Sequence, residues 1–168
     1  LGQPDASNAA GGFVSLGAGG SITIGFGGVI YDAPGNDIRI WETSFSGDAC
    51  GGADDEQADI ELSQDGINFV SVGSICRDGE VDIADAGLEF VSQIRITNSA
   101  STGSLDGYDV DGVEAINGCS DNPVVENGDC YATEVVEYVE GLKSNNGAID
   151  LNRTNPEEAL GAPERSNQ

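Results

Sequence analysis

Apolar and polar residues alternate over most of the chain, in short runs that Gly, Asn and Asp separate. A period of two places successive side chains on opposite faces of a strand, so the pattern predicts antiparallel β-structure. Turn residues recur about every ten residues, as in two-sheet folds. We therefore predict an all-β protein, an antiparallel two-sheet sandwich or jelly roll. The segments that carry the pattern are SITIGF (21–26), DIRIWE (37–42), ADIELS (58–63), GINFVSV (66–72), QIRITN (93–98) and YDVDGVEAI (108–116).

The composition of the sequence changes after Cys119, where the regular alternation gives way to a polar stretch. We predict that residues 1–119 form the sandwich body and that residues 120–130 form a polar loop. Residues 131–168 then make an extended C-terminal tail. Its first part, YATEVVEYVEG (131–141), is compatible with a strand or a short helix, because its valines fit either period. The remainder is rich in Asn, Glu and Pro and has too few apolar residues for a core, so it must dock on another surface or stay mobile.

Charge and hydropathy narrow the classes of partner. The formal net charge is −24, which repels nucleic acid and anionic lipid and suits a divalent cation. The alternatives are that the acidity only keeps the protein soluble or reflects a saline habitat. No apolar run approaches the roughly 18 residues that span a bilayer, so no membrane span is predicted. No signal peptide precedes Leu1, and we expect a mature form or a fragment of a secreted protein.

The chain has four cysteines, and no two of them have the C-x-x-C spacing of zinc or redox motifs. An even number in an acidic chain with a single Lys fits two disulfides in an oxidising compartment, which indicates an extracellular or cell-surface protein. All three connectivities remain open. The simplest pairing is sequential, Cys50 with Cys76 and Cys119 with Cys130.

Acidic residues at two places suggest a metal site. Asp37 and Glu42 stand at opposite ends of one predicted strand, and DGYDVDG supplies Asp106, Asp109 and Asp111. Because Asp109 and Asp111 are two residues apart, we expect them to face the same way and to share a cation. The spacing does not fit an EF-hand loop. We predict a structural calcium site among these five acids, and a solvated acidic edge is the alternative.

The remaining polar features favour a role other than catalysis. The chain has no His, so it lacks Ser-His and Cys-His nucleophile pairs, and we predict that it is not an enzyme. The run GGADDEQAD, with Asp54, Asp55 and Glu56, is typical of a solvated loop. Asn152 begins an N-glycosylation sequon, Asn152-Arg153-Thr154. A sugar-stacking surface could use three aromatic residues that could equally belong to the core: Tyr31, Trp41 and Tyr108.

Several motifs, in order, resemble a known family. They are LGQPD, FVSLGAGGSITIGF, APGNDIRIWETS, ADIELSQDGINFVSVGSIC, IRITNSAS and DGYDVDGVEAINGC. Together they resemble the discoidin-like jelly-roll domain that recurs in secreted and cell-surface proteins of microbes. The resemblance covers residues 1–119 and implies fold and location more than activity. In such domains the ends of the first acidic strand and the D-x-D-G pair are acidic too, which implies a structural ion.

The octet LGQPDASN (1–8) recurs near the end as LGAPERSN (160–167). The octet contains the element Leu-Gly-x-Pro, which at residues 159–163 reads ALGAP. In domains of the family that the chain resembles, this ALGxP element follows a segment of a few tens of residues that supplies the first strand. That segment is missing at the front, and residues 134–164 are similar to it. The resemblance therefore implies a repeat cut out of phase, whose tail supplies the missing strand of the next copy.

Three hypotheses for function follow. The first is a structural subunit of an extracellular filament or tandem-repeat surface fibre, whose copies join head-to-tail by strand donation. The second is a carbohydrate-binding or adhesive module with glycans as partners, and the third is an accessory domain of a secreted enzyme. For the tail, the alternative to donation is that it folds back onto its own body.

Overall fold

The structure, a computed structural model, describes residues 12–43, 50, 56–99, 106–117, 119, 130–143, 147–149 and 151–160. These residues contain ten strands and three short 3₁₀ helices, so the all-β prediction is confirmed. The 3₁₀ helices are Ile83–Ala86, Leu151–Arg153 and Pro156–Ala159. The strands are β1 (Val14–Ser15), β2 (Ser21–Tyr31), β3 (Ile38–Glu42), β4 (Gln57–Ser63), β5 (Val70–Cys76), β6 (Gly79–Val81), β7 (Phe90–Asn98), β8 (Asp109–Ala115), β9 (Cys130–Tyr131) and β10 (Glu134–Val139).

The strands form two five-stranded antiparallel sheets. In the first sheet the order is β1-β8-β3-β6, and β9 also pairs with β8. In the second sheet the order is β10-β2-β7-β4-β5. The two sheets pack against each other around one apolar core, which confirms the predicted two-sheet sandwich.

The core follows from the alternation seen in the sequence. Ile22 and Ile24 of β2 face Ile96 and Ile94 of β7, and all four are fully buried. Burying such a side chain stabilises the fold by about 1.5–3 kcal/mol. The first sheet contributes Ile38 and other apolar residues to the same cluster. Period-two patterning was therefore sufficient to identify the inward faces of the central strands.

One strand boundary differs from the prediction. GINFVSV was expected to be extended from residue 66, but β5 begins at Val70. The Asp65 carboxylate accepts hydrogen bonds from the backbone N–H groups of Ile67 (2.9 Å) and Asn68 (2.8 Å), and from the Asn68 side chain (2.7 Å). Because these bonds hold a turn, the chain becomes extended only after it. The three-residue strand β6 was also missed, since it is too short to show a period.

The tail packs on the body of its own chain. The segment 131–141, which was compatible with strand or helix, is extended, and β10 pairs antiparallel with β2. Beyond β10 the two backbones stay close, and the Gly141 N–H donates to the Leu16 carbonyl at 2.8 Å. A Cβ at Gly141 would lie 2.5 Å from the carbonyl carbon of Gly17, so only glycine allows this approach. The tail therefore forms one edge of the second sheet.

The end of the described tail reaches the apolar core. Asn155 caps the 3₁₀ helix Pro156–Ala159, since its side chain accepts from the Glu157 N–H. Ala159 and Leu160 after it are 1% and 3% exposed. This helix contacts β1 and β8 of the body and β10 of the tail. Both copies of the repeated octet lie outside the described residues, apart from Leu160.

Both expected disulfides are present. Cys50 bonds to Cys76, with Cα atoms 6.1 Å apart, and Cys119 bonds to Cys130, with Cα atoms 5.7 Å apart. The polar loop predicted between Cys119 and Cys130 lies outside the described residues. In the part of the chain that the structure describes, no helix has the length and apolar character needed to cross a membrane.

Candidate cation site at the acidic cluster

Four carboxyl groups meet at one end of the sandwich, and we call Glu42, Glu56, Asp106 and Asp109 the acidic cluster. Oxygens of Glu56, Asp106 and Asp109 all lie within 4.8 Å of one another. The Glu42 carboxyl is within hydrogen-bonding reach of that of Glu56. Three of these residues were predicted as metal ligands, and the structure brings those three together.

Strand pairing places these carboxyl groups. β8 lies between β1 and β3, with Asp109 opposite Ser15 of β1. The Thr43 N–H, one residue after β3 ends at Glu42, donates to the Asp109 carbonyl at 3.1 Å. The end of β3 and the start of β8 are thereby held together. The cluster thus forms where β3 ends and β8 begins in one sheet, beside Glu56, which directly precedes β4 of the other sheet.

Asp111 is not among the carboxylates grouped with Asp109 within 4.8 Å, and its sharing of a cation with Asp109 stays a prediction. The register between β3 and β8 shifts here, because Trp41 is opposite Gly112 whereas Glu42 is opposite Val110. A bulge of this kind breaks the alternation of side chains. Asp111 is buried, with 2% of its surface exposed, but it is not one of the three grouped carboxylates.

Asp37 also lies elsewhere. It is five residues from Glu42 along an extended strand, roughly 17 Å, which is too far to share an ion. Its carboxylate is fully buried and accepts from the backbone N–H groups of Ala33 (2.9 Å) and Ile83 (3.0 Å). These hydrogen bonds explain its burial, and because its carboxylate also groups with those of Asp32 and Asp82, a metal role for Asp37 stays a prediction.

Sequence reasoning missed two residues of the site. Glu56 was assigned to a solvated loop, but its Oε2 atom is buried, and the residue directly precedes β4. Arg153 comes from the tail and forms ion pairs with Asp106 and, at 2.5 Å, with Oδ2 of Asp109. Its guanidinium also lies 4.7 Å from the centre of the Phe13 ring. No local pattern marks either residue, since both reach the site only through tertiary packing.

Several oxygens around the cluster are buried without a hydrogen bond of standard geometry to the described residues. They are Ser15 Oγ, Glu42 Oε1, Thr43 Oγ1, Glu56 Oε2 and Asp109 Oδ1. Ser15, Thr43 and Asp109 are at most 1% exposed. Buried polar atoms in folded proteins nearly always have partners. An oxygen-only set of carboxylates and hydroxyls fits a hard cation such as calcium, which takes six to eight oxygen ligands.

The carboxyl groups of the acidic cluster need nearby positive charge or protons to balance them. Burial, above all, raises the pKa of Asp109 to about 8, and Glu56 and Asp106 add to the rise, whereas Ser15 and Arg153 oppose it. Burial and the Glu56 carboxyl likewise raise the pKa of Glu42. Two guanidinium groups, those of Arg153 and Arg77, act on Glu56 of the cluster, so the four carboxyl groups still outnumber the positive charges, and protons or a further cation must balance the rest.

The other predicted positions do not join this site. Asn152 is exposed, and its glycosylation stays a prediction. Tyr108 is fully buried and donates to the Arg77 carbonyl at 2.7 Å. Tyr31 and Trp41 lie on different sheets. These three aromatic residues therefore do not form one sugar-stacking surface, and the burial of Tyr108 agrees with the alternative that it belongs to the core.

Fold and site together define an antiparallel β-sandwich with a buried acidic cluster, which an arginine of its C-terminal tail contacts. No protein-family model, no curated protein and no solved structure matches this chain. The resemblance to discoidin-like domains therefore stays a prediction.

Proposed function

We propose that this protein is a structural subunit of an extracellular filament or tandem-repeat surface fibre. Copies join head-to-tail, since the tail of one subunit supplies an edge strand to the sandwich of the next. Calcium in the acidic cluster and two disulfides stabilise each unit.

The observation that supports this proposal is that the tail completes the sandwich. It adds β9 to one sheet and β10 to the other, and it brings Leu160 into the core. Without the tail, β2 would present an unpaired edge, which invites another strand. In the single chain these contacts are made with its own body. In a fibre the same contacts are made with a neighbour, as in β-augmentation.

A head-to-tail contact of this kind does not close on itself, so it generates a linear array. The bonds that join β10 to β2 are main-chain bonds, which give affinity, and the inward side chains set the register. Tyr138 contributes by donating from its hydroxyl to the Ser15 carbonyl of the body at 3.1 Å.

The extracellular assignment is supported by the disulfides. All four cysteines are bonded in pairs. Disulfides persist in oxidising environments, where calcium is also available to the acidic cluster. Cross-links and a bound ion would restrict unfolding of a subunit under mechanical load.

Engineered disulfides test whether donation occurs within or between chains. Ser21 of β2 and Val139 of β10 are directly opposite each other. The double variant Ser21→Cys/Val139→Cys, oxidised at high protein concentration, should give a ladder of covalent oligomers on a non-reducing gel. Reductant should collapse the ladder to monomer.

A matched control variant places the second cysteine on a strand that does not pair with β2. The variant Ser21→Cys/Ser71→Cys places it on β5, at the far edge of the same sheet, and should give no ladder. A cross-linked product of the first variant that runs only as monomer would show that the tail stays on its own body, and would refute strand donation.

A further inference from the structure

We propose that Arg153 and a divalent cation compete for the acidic cluster, so that calcium loosens the hold of residues 151–160 on the body. The inference rests on the calcium site of the proposed function and adds its regulation. On this proposal, a metal ion bound at the acidic cluster controls how firmly residues 151–160 are held on the body.

The competition follows from shared ligands. Arg153 binds Asp106 and Asp109, two of the three carboxylates whose oxygens lie within 4.8 Å of one another. An ion bound by this group must draw on the same carboxylates. The Asp109 side chain is 0% exposed and that of Arg153 is 19% exposed, so little water screens two cations there. Their mutual repulsion is correspondingly strong.

The two occupants satisfy the cluster to different degrees. A guanidinium is a planar donor, and Arg153 reaches only part of the available oxygens. Glu42 Oε1 and Thr43 Oγ1 remain without a hydrogen bond to the described residues. An ion with six to eight oxygen ligands can take these atoms. The ion therefore has ligands that Arg153 leaves unused.

Only one section of the tail depends on this contact. Arg153 ends the 3₁₀ helix Leu151–Arg153, whereas the pairing of β10 with β2 involves residues 134–139. Loss of the ion pairs first weakens the hold on residues 151–153, while Leu160 in the core and β10 in the sheet still bind the tail. Coupling between two sites is reciprocal, so docking of this section must weaken calcium binding by the same factor. In a fibre, calcium would favour exchange of the section between neighbouring bodies.

Calorimetric titration with calcium chloride tests the coupling in three variants of the full chain. Arg153→Gln removes the competing charge and should bind calcium about 5- to 150-fold more tightly than the wild type. Arg153→Lys keeps a charge and should remain closer to the wild type. The control Arg39→Gln breaks an exposed ion pair with Glu80 and should leave calcium affinity unchanged.

A second measurement needs no variant. Trypsin cleaves after Arg153, and docking protects that bond. With added calcium, cleavage after Arg153 should increase relative to cleavage after Lys143 in the same digest. Potassium chloride at equal ionic strength should not change the ratio.

The outcomes separate the two proposals. Equal calcium affinity of the wild type and Arg153→Gln would overturn the competition and leave the calcium site standing. If neither protein binds calcium, the calcium site and the competition both fail, whereas the cross-linking test of strand donation is unaffected. If Arg153→Gln does not fold, the digest of the wild type decides, and a cleavage ratio independent of calcium overturns the inference.

Discussion

Replacing Asp37 tests whether this buried acid is a structural acceptor. Asp37→Ala leaves the backbone N–H groups of Ala33 and Ile83 without their carboxylate partner. A hydrogen bond to a charged group is worth about 1.5–3 kcal/mol, so two such bonds predict a loss of about 3–6 kcal/mol in the free energy of unfolding. Asp37→Asn keeps one acceptor oxygen and should lose about half as much.

Urea unfolding followed by the fluorescence of Trp41, the single tryptophan, measures these losses. The exposed neighbour Asp32 supplies the control, since Asp32→Ala should change the free energy by less than about 0.5 kcal/mol. The loss for Asp37→Ala should be the same with calcium and with chelator. A loss below about 1 kcal/mol would refute the hydrogen-bond argument. A loss that appears only with calcium would show that Asp37 is a metal ligand after all.

Four further predictions concern the metal, the disulfides, acid and the tail. Calcium should raise the melting temperature of the wild type, because an ion that binds only the folded state stabilises it, and Asp109→Asn should remove the response. Removing the Cys50–Cys76 bond, which has a sequence separation of 26, should cost about 3.5 kcal/mol in urea unfolding. Hydrogen bonds from Asn68 and Ile67 lower the pKa of Asp65. Its turn therefore contributes fully above the ordinary Asp pKa of about 4, and the contribution is lost as acid protonates the folded carboxylate. The stability difference between the wild type and Asp65→Ala should accordingly shrink from about pH 6 to about pH 2. Gly141→Ala should destabilise the protein by about 1–3 kcal/mol, because its Cβ would meet the Gly17 backbone at 2.5 Å.

Each of these predictions has a contradicting result or a matched comparison. An unchanged melting temperature with calcium and chelator would remove the ion. For the disulfide, the shorter Cys119–Cys130 link has a sequence separation of 11 and should cost less, about 2.8 kcal/mol. A difference for Asp65→Ala that grows in acid would reverse the sign of its pKa argument. Gly27→Ala, whose Cβ meets Thr133 only at ordinary contact distance, is the control for Gly141.

The fold was largely accessible from the sequence because period two is a local property. A strand with Ile22 and Ile24 on one side needs no partner to reveal its buried face, and the same held for β3, β4 and β7. Turns were less accessible, since the bonds that delay β5 come from the single side chain of Asp65. Short strands such as β6 carry no periodic signal at all.

The site was accessible only in part. Glu42 stood at the end of a predicted strand, and Asp106 and Asp109 belonged to the acidic motif DGYDVDG; the fold brings these three together. Asp37 was selected on the same grounds and is a hydrogen-bond acceptor. Asp111 lies outside the grouped carboxylates and beside a bulge in β8, which is set by pairing with β3 and leaves no mark in the local pattern.

By itself the sequence determined the β-sandwich, two disulfides and a surplus of carboxyl groups that needs positive charge. These properties depend on local alternation, on the number of cysteines and on net charge. Each of them can be read from the sequence without knowing which strands and side chains pack against one another. Only the tertiary structure decided that the tail lies along β2, that the Oε2 atom of Glu56 is buried, and that Arg153 meets Asp106 and Asp109. The physical reason is distance along the chain. Arg153 is 44 residues from Asp109 in sequence, and their attraction acts only once packing has removed water and brought the two charges together.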